Sequence, residues 1–148
     1  MGEDKRLAAA NIALAARYLE ATNAWDFATI RSLLDDEVLF ELPFAPEPLP
    51  RATRGIEAVM QFLTGVPAFA SEENLHDITI DALAGDPGEI VAHFLSNMKL
   101  TSGREYRNRY VLRMRIRDGK VVHFAEYFDP VALIRAIGGS VTLPPADG

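Results

Sequence analysis

The 148-residue chain contains no cysteine. That excludes a disulfide framework, thiolate metal sites and a cysteine nucleophile, and it is the usage expected in a reducing compartment. No apolar run approaches the roughly 18 residues that a membrane-spanning helix needs. The start, Met1-Gly2-Glu3-Asp4-Lys5-Arg6, is too acidic and too quickly helical for a signal peptide, so a cytoplasmic location is the expectation. There is no glycine-rich phosphate loop, no GxSxG elbow and no serine-histidine-aspartate arrangement. Histidine is scarce as well. His76, His93 and His123 fall on three separate strand candidates with no i, i+4 pair, so neither a metal nor another cofactor is expected. Positive charge is in deficit, 15 basic residues against 21 acidic, which argues against a nucleic-acid partner.

What remains is 49% hydrophobic, in a chain long enough to bury roughly 68–70% of its unfolded surface in one domain. The first half reads as helix. An alanine-rich segment from about Asp4 to Thr22 is broken at Asn23-Ala24-Trp25-Asp26, and Asp26 caps a shorter helix carrying Phe27, Ile30, Leu33 and Leu34. Val38 to Leu42 alternates as a strand. Pro43 to Pro50 holds four prolines in eight residues and reads as a loop. A third helix runs from about Ile56 to Leu63. The second half reads as four strands, Leu75–Leu83, Ile90–Leu100, Tyr106–Ile116 and Val121–Phe128, with separators short enough to make antiparallel hairpins. Asp129-Pro130 opens a last helix that ends at Gly138-Gly139. The predicted class is α+β in one domain over residues 1–148, with a core from about 5 to 138 and a tail beyond it.

Side-chain alternation assigns faces. From Tyr106 to Arg117 the even positions are Tyr106, Asn108, Tyr110, Leu112, Met114 and Ile116, and the odd ones are arginine except Val111. The even face belongs inside. The arginine face is open to three readings: solvated, subunit-facing or anion-binding. In the last strand Phe124, Glu126 and Phe128 form the bulkier set, which carries Glu126 inward. A carboxyl among phenylalanines loses solvation and titrates nearer neutrality, the condition for acid–base work. The other reading pairs an outward Glu126 with an arginine. In the strand from Leu75, His76 alternates with Ile78 and Ile80 and is expected inward with them. The facing of His93 and Asn97 stays open.

The order helix, helix, strand, helix, four strands resembles the nuclear-transport-factor-2-like cone, and within it the SnoaL-like and ketosteroid-isomerase-like proteins. The motifs carrying this are Arg17-Tyr18-Leu19, Asn23-Ala24-Trp25-Asp26, Leu33-Leu34-Asp35-Asp36-Glu37-Val38, Arg54-Gly55-Ile56-Glu57-Ala58 and Asp118-Gly119-Lys120-Val121. The resemblance implies a curved antiparallel sheet wrapped around the amino-terminal helices, with a short carboxy-terminal helix. It also implies a homodimer. Tyr18 matches the oxyanion-binding tyrosine of ketosteroid isomerases, but Leu42 and Leu112 fall where that family places its two aspartates.

The later segments Asn108-Arg109-Tyr110, Glu126-Tyr127-Phe128-Asp129-Pro130 and Leu133-Ile134-Arg135-Ala136-Ile137-Gly138 are similar to the phenazine-biosynthesis A/B proteins. There a glutamate on the last strand transfers protons and a pocket histidine accompanies it. The resemblance carries these roles to Glu126 and His76. The implied activity is cofactor-free isomerisation, condensation or cyclisation of a cyclic or polyketide-like carbonyl compound. A small hydrophobic or aromatic ligand would lie against Tyr18, Trp25, Phe40, Met60, Asn97, Asn108, Tyr110, Leu112 and Met114. The rival class is a non-catalytic ligand-binding or dimeric assembly domain.

Overall fold

The computed structural model describes residues 2–147. Helix α1 (Gly2–Ala24) stops where Trp25 takes a positive φ of 52°. Asp26 then caps α2 (Phe27–Leu33): its Oδ1 accepts from the Thr29 backbone N–H at 3.1 Å and its Oδ2 from the Thr29 hydroxyl at 2.6 Å. The chain passes directly into β1 (Leu34–Glu41), crosses the proline-rich loop, and forms a short β2 (Ala52–Arg54) before α3 (Ile56–Thr64). The one-turn α4 (Val66–Phe69) and the three-residue β3 (Ala70–Glu72) follow. Both, like β2, are too short to leave a periodic signature. Strands β4 (Leu75–Leu83), β5 (Asp86–Leu100), β6 (Glu105–Arg117) and β7 (Lys120–Phe128) lead to α5 (Pro130–Ala136), capped by Asp129 as expected.

The seven strands make one mixed sheet in the order β2-β1-β7-β6-β5-β3, with β4 also paired to β5. Strand β1 runs parallel to β7, and every other pairing is antiparallel. The β4–β5 hairpin is tighter than the expected strand bounds suggest: Leu83 already pairs with Asp86 around the two-residue turn Ala84-Gly85. This is the curved open sheet of the nuclear-transport-factor-2-like cone, with α1 laid across β4 and β5. Among the described residues, no helix is long and apolar enough to cross a membrane.

The strand β6 alternation holds throughout. Tyr106, Asn108, Leu112, Met114 and Ile116 are buried, whereas Arg107, Arg109, Arg113 and Arg117 are exposed on the opposite face. Several outer arginines meet acids of their own surface: Arg113 pairs with Glu89, Arg115 with Asp86 and Glu89, and Arg107 with Glu105. Inside, Phe124 stacks on Phe40 at 4.5 Å between ring centres and meets Tyr18 edge-on at 5.6 Å. This aromatic group ties α1, β1 and β7 together.

Candidate active site

A cavity of about 580 Å³ lies between the inner sheet face and the helices. Its floor is the inner sheet face, where Phe40, Phe94, Tyr110, Glu126 and Phe128 point inward. Tyr18, Leu19 and Thr22 come from one side of α1, and the Asp26 cap turns Trp25 and Phe27 into the same space. The proline-rich loop contributes Pro46 to Leu49 at the rim, and α5 contributes Leu133, followed by Ile137. The proline-rich loop is therefore part of the wall.

Glu126 lies opposite Leu112 on β6 and between the inward Phe124 and Phe128 of its own strand. It is half-buried overall and lines the cavity, so the surface it retains faces that space. Among the described residues no hydrogen-bond donor holds its carboxyl. Burial first, and the nearby carboxyl of Glu73 second, push its pKa from 4.5 to about 7. At neutral pH the group is divided between acid and carboxylate, so it can give or take a proton.

Glu73, in the link between β3 and β4, is the second carboxyl of the cavity. The buried Ser96 hydroxyl donates to its Oε1 at 2.6 Å, and the Asn74 backbone N–H donates to the same oxygen at 2.9 Å. Burial raises its pKa, and the two donors oppose the rise.

Tyrosine hydroxyls supply the other polar surface. Asn108 Oδ1 accepts from the backbone N–H groups of Arg109 (2.7 Å) and Asp129 (3.0 Å), while its Nδ2 donates to the Asp129 carbonyl (2.9 Å) and the Tyr106 hydroxyl (2.7 Å). All four bonds of the amide are thus used, which fixes its orientation. The Tyr106 and Tyr110 hydroxyls share a hydrogen bond of 2.8 Å, and the Tyr110 ring stacks on Phe94 at 5.3 Å. Burial pushes the Tyr106 phenol to about 12 and those of Tyr110 and Tyr18 well above their ordinary value. They stay protonated and act as donors.

The structure corrects the expectation for His76. Both the N–H and the carbonyl of Leu75 are held by the Asn23 side chain, at 2.7 and 3.2 Å, so Leu75 turns inward. His76 consequently points outward, where its Nδ1 meets Asp77 Oδ2 at 3.0 Å with 43% of its side chain exposed. A bulge follows. His76 pairs with Leu95 but Thr79 with His93, which places one extra residue in β4, and Asp77 takes a φ of 51°. The bulge restores Ile80 to the inner side and leaves Ile78 40% exposed. Alternation carried through Asp77 without that extra residue assigns His76 to the wrong face.

The other expected site residues divide into three groups. Tyr18, Trp25, Phe40 and Tyr110 line the cavity with Glu126. Met60, Leu112 and Met114 are buried in the core outside its lining, and Asn108 sits behind Tyr106. Asn97 shares the outer sheet face with the exposed His93, since buried Ser96 and Met98 occupy the inner positions of β5. Sequence reasoning missed Glu73 and Tyr106. Tyr106 shared the inward face with Tyr110 and could have been found. Glu73 lies in a non-periodic link and left no such signal.

The SnoaL-like domain model matches residues 15–124, so the chain belongs to the SnoaL-like family. A curated relative, the uncharacterized YesE of Bacillus subtilis (strain 168), is 27% identical over 118 residues, covering 78% of each protein. Among solved structures, a phenazine biosynthesis-related protein of Pseudomonas aeruginosa, PhzB2, superposes with a TM-score of 0.83 at 16% identity, covering 99% of this chain and 97% of that one. A candidate isomerase of Bacillus subtilis gives 0.81 at 23% identity over 93% and 96% of the respective chains. At these identities the two structures establish a shared fold.

Proposed function

We propose that the protein is a cofactor-free acid–base enzyme that isomerises, dehydrates or cyclises a cyclic or polyketide-like carbonyl compound. The observation that carries this reading is the Glu126 carboxyl, which has no hydrogen-bond donor among the described residues and lines an apolar cavity, where burial pushes its pKa up to about 7. As carboxylate it takes a proton from the carbon beside the substrate carbonyl. The charge that develops on the carbonyl oxygen is met by a phenolic O–H from Tyr110 or Tyr18. The resulting carboxylic acid returns the proton to a different carbon, or to a departing oxygen, and so regenerates its starting form. The Glu73 carboxyl lies within the same space, its pKa also raised by burial. His76, on the outer surface, has no part in this scheme.

Glu126→Gln keeps the shape of the side chain and removes its titrating proton. On a turned-over carbonyl substrate the expected loss in kcat is about 10²–10⁴-fold. Retention of activity within about tenfold would show that the proton is carried elsewhere.

A further inference from the structure

The cavity's charged lining is of one sign. Glu73 and Glu126 lie within it and Glu47 at its rim, whereas no lysine, arginine or histidine among the described residues reaches it. The uncharged polar lining is dominated by hydroxyls: Tyr18, Tyr106, Tyr110 and Thr22. Arginine is not lacking in the chain, but the β6 arginines project from the opposite face of the sheet. A ligand carboxylate entering this space would surrender its hydration with no cation to replace it, and would face two carboxyls. A protonated nitrogen would find the reverse, since a charge-assisted hydrogen bond to Glu126 would satisfy an oxygen that has no donor of its own.

We infer that the cavity takes an apolar ring compound bearing an amine or imine nitrogen, and discriminates against its carboxylate counterpart. This rests on the cavity being the ligand site proposed above, and it narrows the substrate to a carbonyl compound that also carries a basic nitrogen. Glu126 and Glu73 together set the preference, with Glu126 making the direct contact because neither of its oxygens has a donor among the described residues, whereas the Ser96 hydroxyl and the Asn74 N–H already hold one oxygen of Glu73.

The test uses three probes on one skeleton: naphthalen-2-ylmethylamine, naphthalen-2-ylmethanol and 2-naphthoic acid, titrated calorimetrically into the intact protein at pH 7.5. The amine is expected to bind at least about tenfold more tightly than the acid, with the alcohol between them. Glu126→Gln and Glu73→Gln, each verified as folded by circular dichroism, should each shrink that ratio at least about threefold. Equal binding of acid and amine would overturn the charge preference while leaving the acid–base reading intact. So would a preference that persists unchanged in both variants. Binding of none of the three probes would count against the preference and against the cavity as a ligand site together, whereas loss of catalysis in Glu126→Gln bears on the acid–base reading alone.

Discussion

Glu73, from the link between β3 and β4, and Glu126, from β7, enter one cavity, and only Glu73 is held. The Ser96 hydroxyl fixes Glu73 at 2.6 Å, while Glu126 stands free between Phe124 and Phe128. Two carboxyls that share a low-dielectric space do not ionise independently. The better-solvated one loses its proton first and raises the other. The donors on Glu73 mark it as the more acidic of the two.

Ser96→Ala removes the stronger donor from Glu73. The Glu73 carboxyl should then titrate higher, and Glu126, with less negative charge beside it, should titrate lower. Carboxyl carbon chemical shifts in glutamate-labelled protein would report both movements. Opposite shifts at the two residues are expected, and an unmoved Glu126 would show that the pair is not coupled.

Stability should fall as pH rises. A carboxyl whose folded pKa is about 7 against an ordinary 4.5 binds more protons folded than unfolded between those values. Its favourable contribution is therefore present at low pH and lost through that window, up to about 3 kcal/mol in all. Glu126→Gln should match the wild type near pH 4 and exceed it by about 1–3 kcal/mol at pH 8. Urea unfolding at the two pH values measures the difference, and a pH-independent offset would contradict the assignment.

Asn108 joins the Asp129 turn at the end of β7 to the tyrosine pair through four hydrogen bonds. Asn108→Leu strands those partners and should cost about 2–4 kcal/mol by urea denaturation. Asn108→Asp retains the acceptor toward the two backbone N–H groups but loses the amide donors to Tyr106 and the Asp129 carbonyl, and should fall between.

His76→Ala should change little. The residue is exposed and its partner is its sequence neighbour, Asp77. Such surface pairs contribute about 0–1 kcal/mol. Activity within about twofold of wild type is expected; a loss comparable to that of Glu126→Gln would return His76 to the mechanism.

The legible parts of this protein were those governed by regular periods. Strand β6 alternates without interruption over its 13 residues, and its inner face was readable position by position. The same period carried Glu126 inward because bulk on one side of β7 decided the face. Strand β4 fails for a local reason: the Asn23 clamp on Leu75 and the bulge at Asp77 act over one or two residues, and neither disturbs the average hydrophobic pattern. Glu73 was hidden for a related reason. A charged residue between two short elements ordinarily faces water, and what turns it inward is Ser96, a partner 23 positions away in sequence. Met60, Leu112 and Met114, expected against the ligand, are apolar interior outside the cavity lining: periodicity identifies a buried face but not which part of it borders the cavity.

The most direct test of the account needs no substrate. Carboxyl-carbon nuclear magnetic resonance of the glutamate-labelled protein, with Glu126→Gln used to assign the resonance, gives the titration midpoint of Glu126. A midpoint at about 7 is expected; a carboxyl that titrates at the ordinary 4.5 would be solvated and fully ionised at neutral pH, and the acid–base role drawn from its burial would be wrong.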